Sequence, residues 1–340
     1  MRGMSVLSLL RIFTLLVFQK GDEMPVLTTI SKNTMTTLGD VSERIDELSR
    51  DCHDAMIPTE KIAFESLEKM YIGSTPHKVR PVAQMEIAFR LGIPLQYLRR
   101  CPESLQCDNL NHWIQKERNA ELFIRFDGDD VRAIFTPKYK PIDHFELLER
   151  LDALGYGPDT KVQCHLDGEF MLLNIPDAAK TFEINKDAMT PGISISNSEV
   201  GLSSVTVAAY ILRLICTNGL IGMSEVASNK YRHVSRRILD ELPDAIRTAS
   251  NEINEQKRQL KFSIESRVDD PVATIERFNR EFQLGKEERE AVDWGWMHEM
   301  GPAMFHIIQT YTKASQYEGL KAEEGYRLQR VGGSILGMVN

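Results

Sequence analysis

The stretch GISISNSEVGLSSVTVAAYILRLICTNGLIG, Gly192 to Gly222, decides the fold. Its apolar arms are rich in Ile, Val, Thr and Tyr, which suit a pleated, half-buried surface. Asn197-Ser198-Glu199 lies between the arms, and Cys216-Thr217-Asn218-Gly219 follows the second. One arginine, Arg213, interrupts that second arm. Ser203 to Ile215 is expected to be a strand. A buried helix is the alternative, because periodicity alone does not separate the two in so apolar a run. Polar tips, an apolar scaffold and a basic cluster starting at Lys230 make this the region where a site is expected.

Working outward, hairpins precede it. ELFIRF and VRAIFT alternate and are joined through Asp127-Gly128, a strong short-range hairpin signal. KVQCHL and EFMLLNI repeat the pattern around Asp167-Gly168. Between the hairpins, Asp143 to Leu154 reads as an amphipathic helix with Asp143 as N-cap and Glu146 at capping-box spacing. Upstream, Arg80–Leu91 suits a helix with Pro81 in its first turn and Gly92 past its end. A short helix follows from Pro94, then another from Cys107 to Lys116, with Asp108 or Asn109 as candidate cap. Val41 to Ile57 reads as a polar helix, and Ala63–Pro76 as surface structure around a turn. Beyond Ser235 the pattern is helical, with a break expected at Pro243.

The expectation is an α+β protein: an antiparallel sheet of hairpins braced by helices, with a helical C-terminal region. Residues 1–40 are expected to be a poorly ordered segment or an over-extended start, 41–120 a helical lead-in, 121–228 the antiparallel α+β core and 229–340 the helical region. Val6 to Phe18 is apolar but short for a membrane span, and Met24 opens a run that reads like an ordinary start. No stable membrane association is expected.

The chain has 340 residues, a net charge of −8 and 26% charged residues. Such a balance argues against a surface coated with phosphate-binding groups, but allows a local basic stripe. Five scattered cysteines without a CxxC pair argue against a zinc site or a disulfide framework and suit a reducing cytoplasm. No phosphate-cradling glycine loop and no G-x-S-x-G elbow is present. His298-Glu299 lacks a second histidine at the spacing that a shared metal needs. No catalytic residue, metal or cofactor is assigned.

Arg125, Arg132 and Arg213 sit in otherwise apolar strands. An arginine there faces solvent, pairs with a carboxylate or binds an anion, since burial of an unpaired charge is costly. Lys230-Tyr231-Arg232-His233-Val234-Ser235-Arg236-Arg237 carries four fixed positive charges, no acid and an interleaved aromatic. That is the footprint of a nucleic-acid contact, and equally that of a solvated helix start. Lys138-Tyr139-Lys140 repeats the pattern on a smaller scale: a tyrosine able to stack a base between lysines able to hold phosphates.

Three stretches resemble the phage/plasmid-like protein family, a domain of unknown function (932). They are LGIPLQYLRRCPESLQCDNLNHWI, VRAIFTPKYKPIDHFELLERL and ISNSEVGLSSVTVAAYILRLICTNGLIG. QTYTKASQ and YRLQRVGGSIL are similar more loosely, and together the stretches span Gln84 to Leu336. Thr136 stands where the family often has Ser. The resemblance implies a mobile-element setting and the handling of DNA. A hairpin sheet with a basic groove is also similar, at the level of fold, to phage single-strand annealing proteins.

The function expected is therefore binding of nucleic acid, single-stranded DNA foremost, in recombination or replication, by a homo-oligomer. Arg125, Arg132, Lys138, Lys140, Arg213, Lys230, Arg232, Arg236 and Arg237 would contact phosphates. Tyr139 and Tyr231 would stack bases, and Asn197, Ser198 and Asn218 would be loop contacts. The alternatives are a protein-interaction factor for host takeover or anti-defence, which the acidic charge favours, and an enzyme on nucleotides or nucleic acid. The observation that would favour the enzyme is convergence of Arg213, Asn197, Asp143 and Asn218 in one pocket with a bound metal or phosphate.

Overall fold

The structure, a computed structural model, describes residues 35–184, 187–213, 218–221, 228–231, 233 and 235–339. The expectations for the first 34 residues, for Cys216 and for Arg232 lie outside the described residues. The fold is α+β with antiparallel sheets, as the sequence pattern implies.

In chain order, strand β1 (Met35–Thr37) leads into helix α1 (Leu38–Leu48), and β2 (Cys52–Pro58) follows. The small strands β3 (Ile62–Phe64), β4 (Lys69–Ile72) and β5 (Thr75–Lys78) come next. Helices α2 (Pro81–Arg90), α3 (Leu95–Arg100) and α4 (Glu103–Ile114) then precede the hairpin β6 (Glu121–Asp127) and β7 (Asp130–Phe135). Helix α5 (His144–Ala153) separates it from β8 (Lys161–Leu166) and β9 (Met171–Pro176). Strands β10 (Phe182–Ile184), β11 (Asp187–Asn197), β12 (Val205–Arg213), β13 (Asn218–Ile221) and β14 (Ser228–Tyr231) complete the sheets. Five helices finish the chain: α6 (Ile238–Glu265), α7 (Pro271–Glu281), α8 (Lys286–Glu299), α9 (Met304–Ala314) and α10 (Ala322–Gly337).

The main sheet runs β1-β8-β9-β11-β12-β13, with β10 also on β11 and β14 also on β12. The two arms of Gly192–Gly222 are thus β11 and β12, in register from Met189 opposite Arg213 to Ser196 opposite Thr206. The run from Val205 is a strand because both its faces are covered, which explains its unbroken apolar sequence. One face, with Leu173, Ile195 and Val207, packs on α1, α5 and α6. The other, with Leu172 and Tyr210, packs on Ala322 and Tyr326 of α10. A smaller sheet, β2-β6-β7, and the sheet β3-β4-β5 share a separate core with α2, α3 and α4.

Three local expectations are corrected. The polar pattern Val41–Ile57 is not one helix, for Cys52–Pro58 pairs along its whole length with β6. Asp54 stands opposite Arg125 there, and their ion pair supplies what the polar strand lacks in apolar burial. Ala63–Pro76 does contain the expected turn, between Ile72 and Thr75, within the three-stranded sheet. Helix α4 starts at Glu103 behind Pro102, so neither Asp108 nor Asn109 is its cap. Pro243 does not break α6, because buried Leu239, Leu242 and Ala245 hold the helix on either side of it. The capping box of α5 forms as expected: the Asp143 N–H donates to Glu146 Oε2 at 3.0 Å.

Candidate functional site

The three strand arginines face carboxylates. Arg125, on β6, is 4% exposed. Its Nε donates to Asp54 Oδ1 at 2.9 Å, Nη2 to Asp143 Oδ1 at 2.6 Å, and Nη1 to the Glu199 carbonyl at 3.0 Å. Arg132, on β7, donates to Glu199 Oε2 at 2.8 Å and to Cys52 Sγ at 2.8 Å. Arg213 donates to Asp187 Oδ2 and Glu299 Oε2, each at 2.7 Å. Of the three fates open to such residues, carboxylate pairing is the one adopted. They do not form a shared anion-binding face, since Arg213 ends β12 at the end of the hairpin remote from Asn197.

Asn197 and Ser198 are also turned inward, both 0% exposed. Asn197 Nδ2 donates to the Ile142 carbonyl at 2.8 Å. Ser198 Oγ donates to the Glu169 carbonyl at 2.8 Å and accepts the Leu202 N–H at 3.1 Å. Rather than exposed loop contacts, they are the fastenings of the turn that leaves β11. Glu199, next in the turn, accepts the His144 N–H at 2.8 Å as well as Arg132. Burial opposes its ionisation, but His144, Arg132 and Arg125 outweigh that and hold the carboxylate down at about 2. Burial keeps His144 below its usual value, and it raises Asp143 despite the Arg125 charge beside it. This turn therefore ties the small β2-β6-β7 sheet to the main sheet through a buried ionic cluster.

Arg213, Asn197, Asp143 and Asn218 do not converge. Asp143 and Asn197 stand at this cluster, whereas Asn218 is the strand partner of Arg213 at the other end of β12. Among the described residues, no group of three or more His, Cys, Asp and Glu is placed to hold a metal ion.

Two basic segments far apart in sequence are brought together. The Lys140 N–H donates to the His233 carbonyl at 2.7 Å. The Tyr139 ring stacks on Phe135 with centroids 3.7 Å apart and on His233 at 5.2 Å. Tyr139 is thus a packing residue with both faces occupied. Lys138 and Lys140 beside it are exposed. Arg236 pairs with Glu146 and donates to the Pro141 carbonyl at 3.1 Å, while Arg237 Nε donates to Glu241 at 2.9 Å. Lys230 and Tyr231 lie on β14.

The concave feature of this region is a cleft of about 850 Å³ between α2, the end of α4, β7 and the turn after β11. Met85, Glu86, Phe89 and Arg90 enter it from successive turns of α2. Phe89 is 87% exposed and Trp113, on α4, 44%. Lys116 and Arg118 are exposed on the connection after α4, with Lys116 Nζ 4.9 Å from the centroid of the Trp113 ring. Arg90 Nη1 is 3.8 Å from Glu117 Oε2. Burial opposes the ionisation of Glu117, but hydrogen bonds from Asn119 and the nearby Arg90 hold it below the usual carboxylate range. Ile134, Phe135 and Gly201 form the floor.

Glu86 lies at that floor, its Oε2 accepting the Ile134 N–H at 2.7 Å. Burial pushes its carboxyl up to about 8, against the opposing pull of the Ile134 N–H and Arg90. At neutral pH the cleft therefore carries three cationic side chains against one ionised acid, on a chain whose net charge is −8. Gly201 adopts φ +82°, and a Cβ there would stand 2.7 Å from Glu86 Oε1 and 2.8 Å from Phe135 Cε1. Because Phe135 also stacks on Tyr139, the floor continues directly into the Lys138–Lys140 loop.

Sequence reasoning missed this cleft. The signal available was the interleaving Trp113-x-x-Lys116-x-Arg118, which follows the same logic as Lys138-Tyr139-Lys140.

A family model described as a domain of unknown function (DUF932) matches residues 133–330. No curated protein matches the chain, and no solved structure matches it. The match starts on β7, so it takes in the floor of the cleft and leaves out the walls built by α2 and α4.

Proposed function

The chain belongs to this domain-of-unknown-function family, and on that premise we propose that it binds single-stranded nucleic acid in the cleft between α2, α4 and β7. The observation that carries the proposal is the pairing of two exposed aromatic side chains, Phe89 and Trp113, with Arg90, Lys116 and Arg118 in one concavity. Stacking on such side chains contributes about 1–3 kcal/mol per base without regard to sequence. The cations hold the phosphates between stacked bases. A cleft of about 850 Å³ accommodates a short run of nucleotides and not a duplex. The strand leaves it along Lys138 and Lys140, toward the segment that contains His233 and Arg236.

Of the residues singled out by sequence, Lys138 and Lys140 stay on this path and Arg236 and Arg237 would continue it, while Lys230, Tyr231 and Arg232 are proposed as further contacts. Arg125, Arg132, Asn197 and Ser198 instead position the turn that carries Gly201 to the cleft floor. In a phage, plasmid or integrated element this binding would serve strand annealing during recombination or replication, by a homo-oligomer. Titration of a fluorescent single-stranded oligonucleotide at two salt concentrations tests the proposal. Absence of binding at low salt would sink it.

A further inference from the structure

We propose that Glu86 is the base-reading group of the cleft, donating a hydrogen bond from Oε1 to an acceptor on the edge of a base stacked between Phe89 and Trp113. This inference rests on the nucleic-acid reading of the cleft and gives it a chemical preference.

Three observations carry it. First, the two oxygens of Glu86 have different duties. Oε2 is taken by the Ile134 N–H at 2.7 Å, which leaves Oε1 as the free end of the carboxyl. Second, Glu86 lines the cleft, and no side chain stands beside Oε1 at Gly201, where a Cβ would lie 2.7 Å away. A positive φ and a bare Cα at that point leave the space beside Oε1 free of a side chain. Third, Glu86 forms no salt bridge among the described residues, although Arg90 stands one turn further along the same helix.

The protonation state fits the role. The charged groups facing Glu86 are Arg90 from its own helix and Lys116, Glu117 and Arg118 from the connection after α4, with Tyr139 behind Phe135. β7 contributes no ionisable side chain to the cleft. With burial the largest influence, the carboxyl stays protonated up to about pH 8. Its Ile134-bonded oxygen then acts as the carbonyl end, and Oε1 carries the proton. A hydroxyl in that position offers one donor. It selects a base edge that presents a ring nitrogen or carbonyl oxygen, and a buried donor left without its acceptor penalises any other edge.

The test is the pH profile of affinity for a fluorescent deoxycytidine oligomer, whose bases do not titrate in the range used, from pH 6.5 to 9 at fixed low salt. An abasic oligomer of equal length supplies phosphates without bases. Wild-type affinity for the deoxycytidine oligomer should fall about tenfold by pH 9, as the protonated fraction of Glu86 falls. Glu86→Ala should bind about fivefold more weakly at pH 6.5 and fall no further. Glu86→Gln, whose amide N–H replaces the hydroxyl donor, should rescue the affinity and flatten the profile. Circular dichroism at each pH shows that the proteins compared are folded. A flat wild-type profile, an equal fall in Glu86→Gln, or the same fall with the abasic oligomer would each overturn the proposal. Failure of every protein to bind any oligomer at any pH would instead overturn the nucleic-acid reading on which it rests.

Discussion

Arg132 donates to Glu199 Oε2 at 2.8 Å, and both residues are buried where the small sheet meets the main one. The pair joins β7 to the turn after β11, and Arg125 reinforces it through the Glu199 carbonyl. A buried ion pair is weak evidence of net stabilisation, but removing one partner strands the other. Glu199→Ala should therefore destabilise the fold by about 3–5 kcal/mol, read from urea denaturation. Glu199→Gln, which keeps one acceptor oxygen for either Arg132 or the His144 N–H, should cost less. Equal stability of wild type and Glu199→Ala would mean that the cluster does not hold the sheets together.

Glu199 also sets an acid limit. Its folded carboxyl lies at about 2, below the ordinary 4.5. The stability it contributes is fully present above 4.5 and is lost as the pH falls from there through 2. Melting temperatures between pH 6 and 3 should fall with a slope that Glu199→Gln makes shallower. Glu86 acts in the opposite sense. Its folded value of about 8 exceeds the ordinary 4.5, so its contribution is complete below 4.5 and is lost as the pH rises through 8. Glu86→Gln should accordingly be more stable than wild type at pH 9, by an amount on the order of a few kcal/mol.

Gly201 should tolerate substitution less well than other glycines with positive φ. Its φ of +82° puts a side chain under strain, and a Cβ would also meet Glu86 and Phe135 within 3 Å. Gly73 and Gly319 share a positive φ but have nothing within 4 Å of a Cβ. Gly73→Ala and Gly319→Ala should cost about 1–2 kcal/mol for the backbone alone. Gly201→Ala should exceed both in thermal denaturation. Equal losses at the three positions would mean that the cleft floor is looser than described.

The polar residues of β11 and of the turn that leaves it should divide into two kinds. Ser198 Oγ accepts two N–H groups and donates to a carbonyl, so Ser198→Ala should cost about 1–3 kcal/mol. The Ser194 hydroxyl is buried and has no partner among the described residues, so Ser194→Ala should be within about 0.5 kcal/mol of neutral or stabilising. Chemical denaturation of the two variants decides between these outcomes.

The hairpins were legible in the sequence because local signals suffice for them. Asp127-Gly128 makes its turn with Gly128 at φ +55°, and Asp167 closes the second hairpin by accepting the Glu169 and Phe170 N–H groups. The strand at Val205 was legible from its β-branched residues. The fate of Arg125 was not, because Asp54, 71 residues away, becomes its neighbour only when β2 pairs with β6. The polar segment that forms β2 carries no apolar alternation to announce a strand. The cleft was hidden for a similar reason. Phe89 fits the apolar pattern of α2, and one sequence does not reveal which side of a helix is left uncovered.

The most direct test compares wild type with Phe89→Ala/Trp113→Ala and Lys116→Ala/Arg118→Ala in binding a fluorescent single-stranded oligonucleotide across a range of salt. These side chains are exposed, so all three proteins should fold alike. Wild type should bind with a steep loss of affinity as salt rises. The cation variant should show a salt slope shallower by roughly two phosphate contacts. The aromatic variant should lose about 1–3 kcal/mol per stacked base while keeping the wild-type slope. If wild type binds nothing at low salt, or if both variants bind as wild type does, the cleft is not a nucleic-acid site.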